Sequence, residues 1–551
     1  MTCREAVYSE SVLDYLIGNY RGEEFIRESY NPDCYIQFDN TQAVIYKEVE
    51  QVNSRNIEKF GFSAIPNLYG LMDEEALEAS GVLKIRRQPY MDLYGQGILI
   101  GLVDTGIDFT HPAFLNEDNT SRIVSLWDQS LSDGEGAGPF SFGTSYSQEE
   151  INTALGTENP GAIILSRDDV GHGTFLAGMA AGKENRSENF SGVAPLSELV
   201  IVKCKQAKNS YREYYGTAKN VPAFQENDIM MGIAYILHVA REVGKPVVIC
   251  VGMGTNMGSH NGESALSQFM DRYTAVQGVT MVASAGNEGN TRHHHHITRK
   301  EEDINIDVEG RLDGFMGQLW WRTPGGLTLD IISPSGDRWE GIRAVSSFTG
   351  KKVFTPENTT LELYFGVAQE RTRAQVVVFR FIDAKPGVWK IHVKFTHDNP
   401  SFHMWLPINQ FLSSEVFFLD PSPNTTICNP GDGKNLITVS AYDVIEESLY
   451  LQASRGFTPE GDVKPEIVAP GVNLIGTYPR GRYGMMSGTS VAAALIAGIS
   501  ALFMQQYSFY GISGLATKEL LIRGAHPKGE PYPNTEWGYG IVDAYFSITQ
   551  D

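Results

Sequence analysis

The chain has 551 residues and a mass of 60.9 kDa, more than one hydrophobic core usually organises, so we expect roughly two to four domains. Hydrophobic residues make up 42% of the chain, which suffices for sizeable cores and excludes global disorder. The 44 Lys and Arg against 66 Asp and Glu give a net charge of -22, which disfavours nucleic acid and anionic lipid surfaces as partners.

The N-terminus carries acidic residues and no basic stretch followed by an apolar run, so no secretory signal is visible and we expect the chain to start in the cytosol. The long apolar run at 491–504 is shorter than the roughly 20 residues of a membrane span, which predicts a buried helix instead. Five scattered cysteines without metal-ligand spacing predict free thiols in a reducing compartment: Cys3, Cys34, Cys204, Cys250 and Cys428. Cys204 and Cys250 end apolar runs and are expected in the core.

Residues 1–93 predict a small α+β unit that precedes the rest of the chain. A helix is expected over SESVLDYLIGNY, strands over 34–38 and 43–49, and a short helix over EEALEAS.

From Gly97 the pattern predicts an α/β domain with a parallel sheet covered by helices on both faces. Short apolar runs bounded by Gly alternate with helical stretches; these runs are ILIGLVDTG, LVIVKC, PVVICVG, VTMVASAGN and LITVSAY. Ligands of such sheets bind at the carboxyl ends of the strands, where loops such as VDTG and SAGN emerge.

Between about residues 290 and 423 the sequence pattern indicates strands without helices, which predicts an all-β sandwich or jelly roll. The parallel-sheet pattern resumes at NLITVSAYD, so this unit is inserted into the α/β domain. The predicted domains are 1–93, 94–290, 291–423 and 424–551, where the second and fourth segments form one domain.

Four residues of the α/β domain together predict an acyl-transfer site. Asp104 lies in VDTGID, His172 in GHGT, Asn287 in SAGNEG and Ser490 in SGTS. Singly, each suits a structural role such as a turn cap or a helix N-cap. Together they supply a nucleophile, a base, a carboxylate that orients the base and a donor for the oxyanion.

The chain here resembles the subtilisin-like serine proteases, in the family's order of Asp, His and Ser. The resemblance rests on VDTGID, GHGTFLAG, SAGNEG and GTSVAAALIAG, with support from GVAP, KPEIVAPGV and WGYGIVDA. It implies that Asp104 orients His172, that His172 is the general base, that Ser490 attacks the carbonyl and that Asn287 binds the oxyanion. The family commonly has His after GHGT and Pro within the serine helix, where this chain has Phe175 and Ala494. Neither departure removes a catalytic group.

The family's substrate-binding strand often reads Ser-Leu-Gly, and here it reads Gly252, Met253, Gly254. A strand edge of this kind could pair with an extended peptide substrate, although the preferred side chain does not follow from the sequence.

The arrangement is similar to that of the clostridial germination-type subtilisin-like proteases. These have a short prodomain, a jelly-roll insertion before the serine and no secretory signal. The resemblance implies that residues 1–93 are a prodomain that acts as chaperone and inhibitor, is cut within KIRRQPYMDL (84–93), and is a partner of the enzyme. It implies a cytoplasmic or spore-associated location. Some relatives are signalling pseudoproteases, which stays the alternative; the sequence indicates no oligomeric state.

Other features have weaker functional interpretations. We predict a solvated linker at His293–His296 rather than a metal site, and loop capping at Asp168 and Asp169 rather than acid–base or Ca²⁺ chemistry. We expect no cofactor, and the family resemblance leaves Ca²⁺ open as an alternative. Four tryptophans of the insertion suit a sandwich core better than a carbohydrate platform: Trp320, Trp321, Trp389 and Trp405. A glycan-binding role of the insertion remains a second alternative.

Overall fold

The structure is a computed structural model of the chain. It describes residues 2–18, 23–32, 34–38, 41–48, 60–71, 79–88, 90–134, 136–322, 325–345, 348–369, 374–396, 400–509 and 511–549. The short helix predicted over EEALEAS lies largely outside the described residues.

A nine-stranded sheet forms the centre of the α/β unit. Its strands, in spatial order, are Ser448–Leu449, Ile437–Asp443, Val279–Ser284, Val247–Val251, Leu99–Asp104, Glu198–Lys203, Ile123–Asp128 and Thr144–Ser147, with Ile467–Pro470 beside the second. The pairs are parallel except for the short strands at the two ends of this order. The predicted doubly covered parallel sheet is confirmed.

Helices cover both faces of this sheet because its strands alternate apolar side chains between two cores. Ile100 and Leu102 face one core, and Leu99 and Val103 face the other. The helices of the first core include His172–Ala181, Thr489–Gln506, Gly514–Arg523 and Ala544–Thr549, and those of the second include Glu226–Val243 and Ala265–Thr274. Further helices span Gln148–Leu155 and Asn209–Tyr215.

The helix Thr489–Gln506 is long and apolar enough to cross a membrane by length and composition, and 89% of it is buried inside the protein. The sequence-based expectation of a buried helix is confirmed.

The N-terminal unit is an α+β module, but one of its predicted elements is wrong. The segment expected to be a helix forms the strand Val12–Gly18, which pairs with Gln42–Glu48, and this pairs in turn with Cys34–Gln37. Residues 12–17 are all buried, because one face of the strand packs on the α/β unit and the other on a separate cluster. Helices span Cys3–Tyr8, Glu23–Tyr30 and Val82–Arg86.

The expectation of five free thiols is also wrong. Cys3 and Cys34 form a disulfide that joins the first helix to a strand of the N-terminal sheet, with 5.3 Å between their Cα atoms. Folding brings these residues together although 31 positions separate them in sequence. Cys204, Cys250 and Cys428 are free and buried, as expected of core thiols.

Two antiparallel sheets form the insertion, as its alternating strands predict. The six-stranded sheet runs His294–Ile297, Phe402–Trp405, Leu312–Trp321, Ala374–Ala384, Thr359–Gln369 and Phe348–Phe354. The five-stranded sheet runs Arg338–Ala344, Leu327–Ile332, Gly387–Phe395, Glu301–Val308 and Val416–Phe418. The four tryptophans predicted to be core residues are all buried.

The histidine run is a buried strand and not the predicted solvated linker. His294–Ile297 pairs with Phe402–Trp405, and the ring of His294 stacks on Trp405 at 5.0 Å between centroids. His293, His294 and His295 are at most 4% exposed, because aromatic stacking and hydrogen bonds replace their contacts with water. Among the described residues no group of three or more His, Cys, Asp or Glu is arranged to hold a metal ion.

Candidate active site

Asp104 is the last residue of the central strand Leu99–Asp104, at the carboxyl end of the parallel sheet. Its Oδ1 accepts hydrogen bonds from the backbone N–H of Thr105 and from Nδ1 of His172, each at 2.7 Å. The carboxylate is 1% exposed. Because Nδ1 donates to this carboxylate, Nε2 of the imidazole is left to accept a proton.

His172 begins the helix His172–Ala181, and Asp168 shapes the loop that precedes it. Oδ1 of Asp168 accepts from Thr105 Oγ1 at 2.8 Å and from the N–H groups of Val170 and Gly171. Its Oδ2 accepts from the N–H and the Oγ1 of Thr174 at 2.8 and 2.7 Å. These five bonds show that Asp168 caps the loop, as the sequence predicts.

Ser490 is the second residue of the helix Thr489–Gln506, and its Oγ lies 3.2 Å from Nε2 of His172. The backbone N–H groups at a helix N-terminus have no partner within the helix and favour negative charge. Asp104, His172 and Ser490 therefore form one hydrogen-bonded chain, although 68 and 318 positions separate its successive members in sequence.

Asn287 follows the strand Val279–Ser284 and is held by its amide oxygen. Oδ1 accepts hydrogen bonds from the N–H and the Oγ1 of Thr489, at 3.2 and 3.1 Å. Thr489 Oγ1 accepts in turn from the N–H of Gly286. With Oδ1 fixed in this way, Nδ2 is the end of the amide that can donate to a negative oxygen.

Glu288 anchors the loop after Asn287 to both the α/β unit and the insertion. Its Oε2 accepts from Asn256 Nδ2, Thr291 Oγ1 and His293 Nδ1 at 2.9 to 3.2 Å, and its Oε1 accepts from the N–H of Asn409. Sequence reasoning missed this residue; an acid directly after the asparagine in SAGNEG was the available signal.

The strand edge Met253–Gly254, which the sequence predicts to bind peptides, leads to these residues, and a segment of the N-terminal unit pairs with it. Leu68–Leu71 lies between Met253–Gly254 and Phe224–Gln225 as the middle strand of a three-stranded sheet. Gly254 pairs with Gly70 and Met253 with Leu71, antiparallel. The occupying strand therefore runs towards Gly252.

Gly252 lies directly beside the catalytic candidates. A Cβ atom at this position would lie 3.2 Å from Cβ of Ser490 and 3.3 Å from Cε1 of His172. The structure thus brings all seven sequence-predicted site residues together. The second edge, Phe224–Gln225, was not predicted, because a strand of two residues has no periodicity to detect.

The three free thiols offer no rival nucleophile. Burial raises the pKa of Cys204, Cys250 and Cys428 above the ordinary value of a thiol. A buried thiol of this kind stays protonated and inert.

Comparisons with known proteins show which sequences and structures this chain is similar to. The family model described as the subtilase family matches residues 95–307 and 414–540. Serine protease AprX of Bacillus subtilis (strain 168) is 34% identical over 143 residues, which are 22% of this chain and 32% of that protein. Subtilisin-like protease SBT2.2 of Arabidopsis thaliana is 22% identical over 512 residues, 77% of this chain and 56% of that protein. This chain thus spans about a third and about half of the lengths of these two relatives.

The solved structure of the Clostridium perfringens CspB protease matches with a TM-score of 0.77 at 29% identity. The match covers 85% of this chain and 96% of that one. The resemblance inferred from the motifs is therefore confirmed, and the family model covers more than half of the sequence. This chain belongs to the subtilase family of serine proteases.

Proposed function

We propose that the chain is a serine endopeptidase that hydrolyses peptide bonds through an acyl-enzyme and cuts its own N-terminal unit. The observation that carries this proposal is the hydrogen-bonded chain of Asp104, His172 and Ser490 at the end of an occupied peptide-binding edge. A peptide strand that follows this edge is directed towards the nucleophile.

The proposed reaction follows from the roles of these atoms. Ser490 Oγ attacks the scissile carbonyl carbon while His172 Nε2 takes the hydroxyl proton. Asp104 holds the imidazole in the required tautomer and stabilises the imidazolium. The amide of Asn287 and the backbone N–H of Ser490 donate to the oxyanion. His172 then gives the proton to the leaving amine. In the second half of the reaction, water attacks the acyl carbon while His172 Nε2 takes a proton from it, and His172 returns this proton to Ser490 Oγ as the acyl group leaves.

The occupied edge supports self-processing and revises its expected position. A scissile peptide must be extended at the nucleophile, and Leu68–Leu71 is the described segment of the N-terminal unit that is extended there. The helix Val82–Arg86 overlaps the start of the expected segment 84–93, and its Val82 and Ile85 are buried in the core. We therefore place the proposed cut shortly after Leu71.

The occupied edge also favours the alternative of a latent pseudoprotease. His172 is 1% exposed and Ser490 is fully buried, so a second peptide cannot reach them while the cleft is covered. If the N-terminal unit never leaves, the chain acts through binding alone.

Labelling with a fluorophosphonate probe tests the proposal, because this probe reacts with an activated serine hydroxyl. We expect purified wild type to be labelled at Ser490 and hydrolysis of casein to parallel labelling. Ser490→Ala and His172→Ala should be unlabelled, whereas Asn290→Ala, an exposed neighbour of the site, should label normally. Wild type that stays unlabelled and inactive after its N-terminal unit is cut away would favour the pseudoprotease.

A further inference from the structure

Asp14 lies in the strand Val12–Gly18 of the N-terminal unit and is completely buried. Its Oδ1 lies 2.5 Å from Nζ of Lys208, a residue of the α/β unit. The same ammonium group donates to the backbone oxygens of Ala6 and Val12 at 3.1 and 2.9 Å, and it lies over the ring of Tyr46. Lys208 thus directs its donors at the N-terminal unit, and without that unit a buried cation would lose its partners.

The other oxygen of Asp14 supports two residues of the α/β unit. Oδ2 accepts from Gln225 Nε2 at 3.1 Å and from Asn227 Nδ2 at 3.0 Å. Gln225 Nε2 also lies 3.1 Å from Asn227 Oδ1, and Gln225 Oε1 accepts from the N–H of Lys208 at 2.9 Å. Both ends of the Gln225 amide are therefore fixed by one buried network, which we call the Asp14 network (Asp14, Lys208, Gln225, Asn227).

Gln225 belongs to the second edge of the peptide cleft. The backbone of Phe224–Gln225 pairs with Leu68 and Tyr69, and the N–H of Glu226 donates to the oxygen of Asn67 at 2.9 Å. The same short strand thus contacts the bound peptide segment through its backbone and Asp14 through a side chain. A two-residue strand has few hydrogen bonds of its own, so its position depends on such support.

We propose that Asp14 is a positioning residue of the peptide-binding site, acting through Gln225 on the edge strand Phe224–Gln225. The N-terminal sheet is then a structural part of the cleft, in addition to carrying the segment that fills it. A cut after Leu71 leaves the sheet able to stay in place and complete this edge. The effect on catalysis rests on the proposed peptidase function, whereas the effect on the edge strand does not.

Hydrogen exchange measured by mass spectrometry tests the structural part without any proteolysis. In full-length chain carrying Ser490→Ala, Asp14→Asn removes the charge and turns an amide donor towards the donors of Gln225 and Asn227. We expect exchange of the peptide covering residues 222–228 to accelerate by about tenfold or more, as follows from losing a hydrogen bond to a charged group.

The matched control is Glu10→Gln in the same background. Glu10 is exposed and accepts from the N–H of Asn209, so it bridges the same two units outside the network. We expect its exchange at 222–228 to equal that of the parent. Equal exchange in Asp14→Asn and Glu10→Gln would overturn the proposal. If Asp14→Asn alone does not fold, Asp14→Asn/Lys208→Met removes both charges of the Asp14–Lys208 pair, and the same comparison decides.

Kinetics of the active chain test the catalytic part. With rates expressed per fluorophosphonate-labelled site, Asp14→Asn should raise KM for an extended peptide about tenfold and leave kcat within about twofold. A purely structural defect would lower the labelled fraction and leave KM unchanged. If Asp14→Asn exchanges faster at 222–228 but has an unchanged KM, only the catalytic role of Asp14 is overturned. If Asp14→Asn exchanges faster but the wild type has no peptidase activity, only the proposed function is overturned.

Discussion

The amide oxygen of Asn287 accepts two hydrogen bonds from Thr489, the residue immediately before the proposed nucleophile. Because its orientation is fixed before substrate binds, its Nδ2 needs no rearrangement to stabilise an oxyanion. We expect Asn287→Ala to lower kcat by on the order of 10² to 10³ with little change in KM. Steady-state peptide hydrolysis measures this. Asn290→Ala is the control, and equal effects of the two substitutions would contradict the assignment.

The imidazole of His172 must be neutral to accept the Ser490 proton. Activity should therefore rise with pH as the imidazole loses its proton. A profile of kcat/KM between pH 5 and 8 checks this, with protein stability followed in parallel at each pH. A flat profile would contradict the role of His172 as general base.

Those residues of the site that stand in recognisable sequence motifs could be predicted from the sequence. Asp104, His172, Asn287 and Ser490 stand in motifs, and the structure brings them together. The loop-capping role of Asp168 was predicted as well, whereas no motif shows that Thr489 contacts Asn287 in the folded chain. The disulfide between Cys3 and Cys34 was missed for the same reason, since spacing alone says nothing about distance in the fold.

Elements were predictable where their pattern has one interpretation. The strands of the central sheet are continuous apolar runs between glycines, which parallel strands covered on both faces require. Val12–Gly18 was misread as a helix because both of its faces are buried, which removes the alternation that marks a strand. The sequence sign of an unusual environment was an acidic residue, Asp14, within this apolar run.

The histidine strand His294–Ile297 and the buried histidines around Trp405 predict acid sensitivity where the insertion meets the α/β unit. Burial lowers the pKa of His403, its partner in the next strand, to about 3, and the pKa of His260 to about 4. Between pH ~6.5 and ~4 the unfolded chain therefore binds protons that the folded chain does not. Stability is full above this window and falls as pH drops through it, by about 1.4 kcal/mol per pH unit for each histidine.

Chemical denaturation of Ser490→Ala protein at a series of pH values measures this slope. We expect His403→Phe to flatten it, because the ring stacking is kept while one titrating group is removed. His526→Asn serves as the control, since the side chain of His526 is 57% exposed. An unchanged slope in His403→Phe would show that another group causes the acid sensitivity.

At the scale of the whole molecule, the sequence indicated three units but not their contacts. Composition separated the insertion, since its strands alternate without helices. Glu288 links the insertion to the loop of Asn287, and Asp14 links the N-terminal sheet to the strand Phe224–Gln225; both links depend on side chains far apart in sequence. The position of Leu68–Leu71 in the cleft was equally hidden, which is why the cut was first expected at 84–93.

The intact mass of freshly purified wild type, followed over time beside Ser490→Ala, tests the central claim most directly. The account predicts that wild type converts to two fragments with a new N-terminus shortly after Leu71, while Ser490→Ala stays a single 60.9 kDa chain. Two single chains that never convert, or identical cutting of both proteins, would contradict the claim that this subtilase processes itself through Ser490.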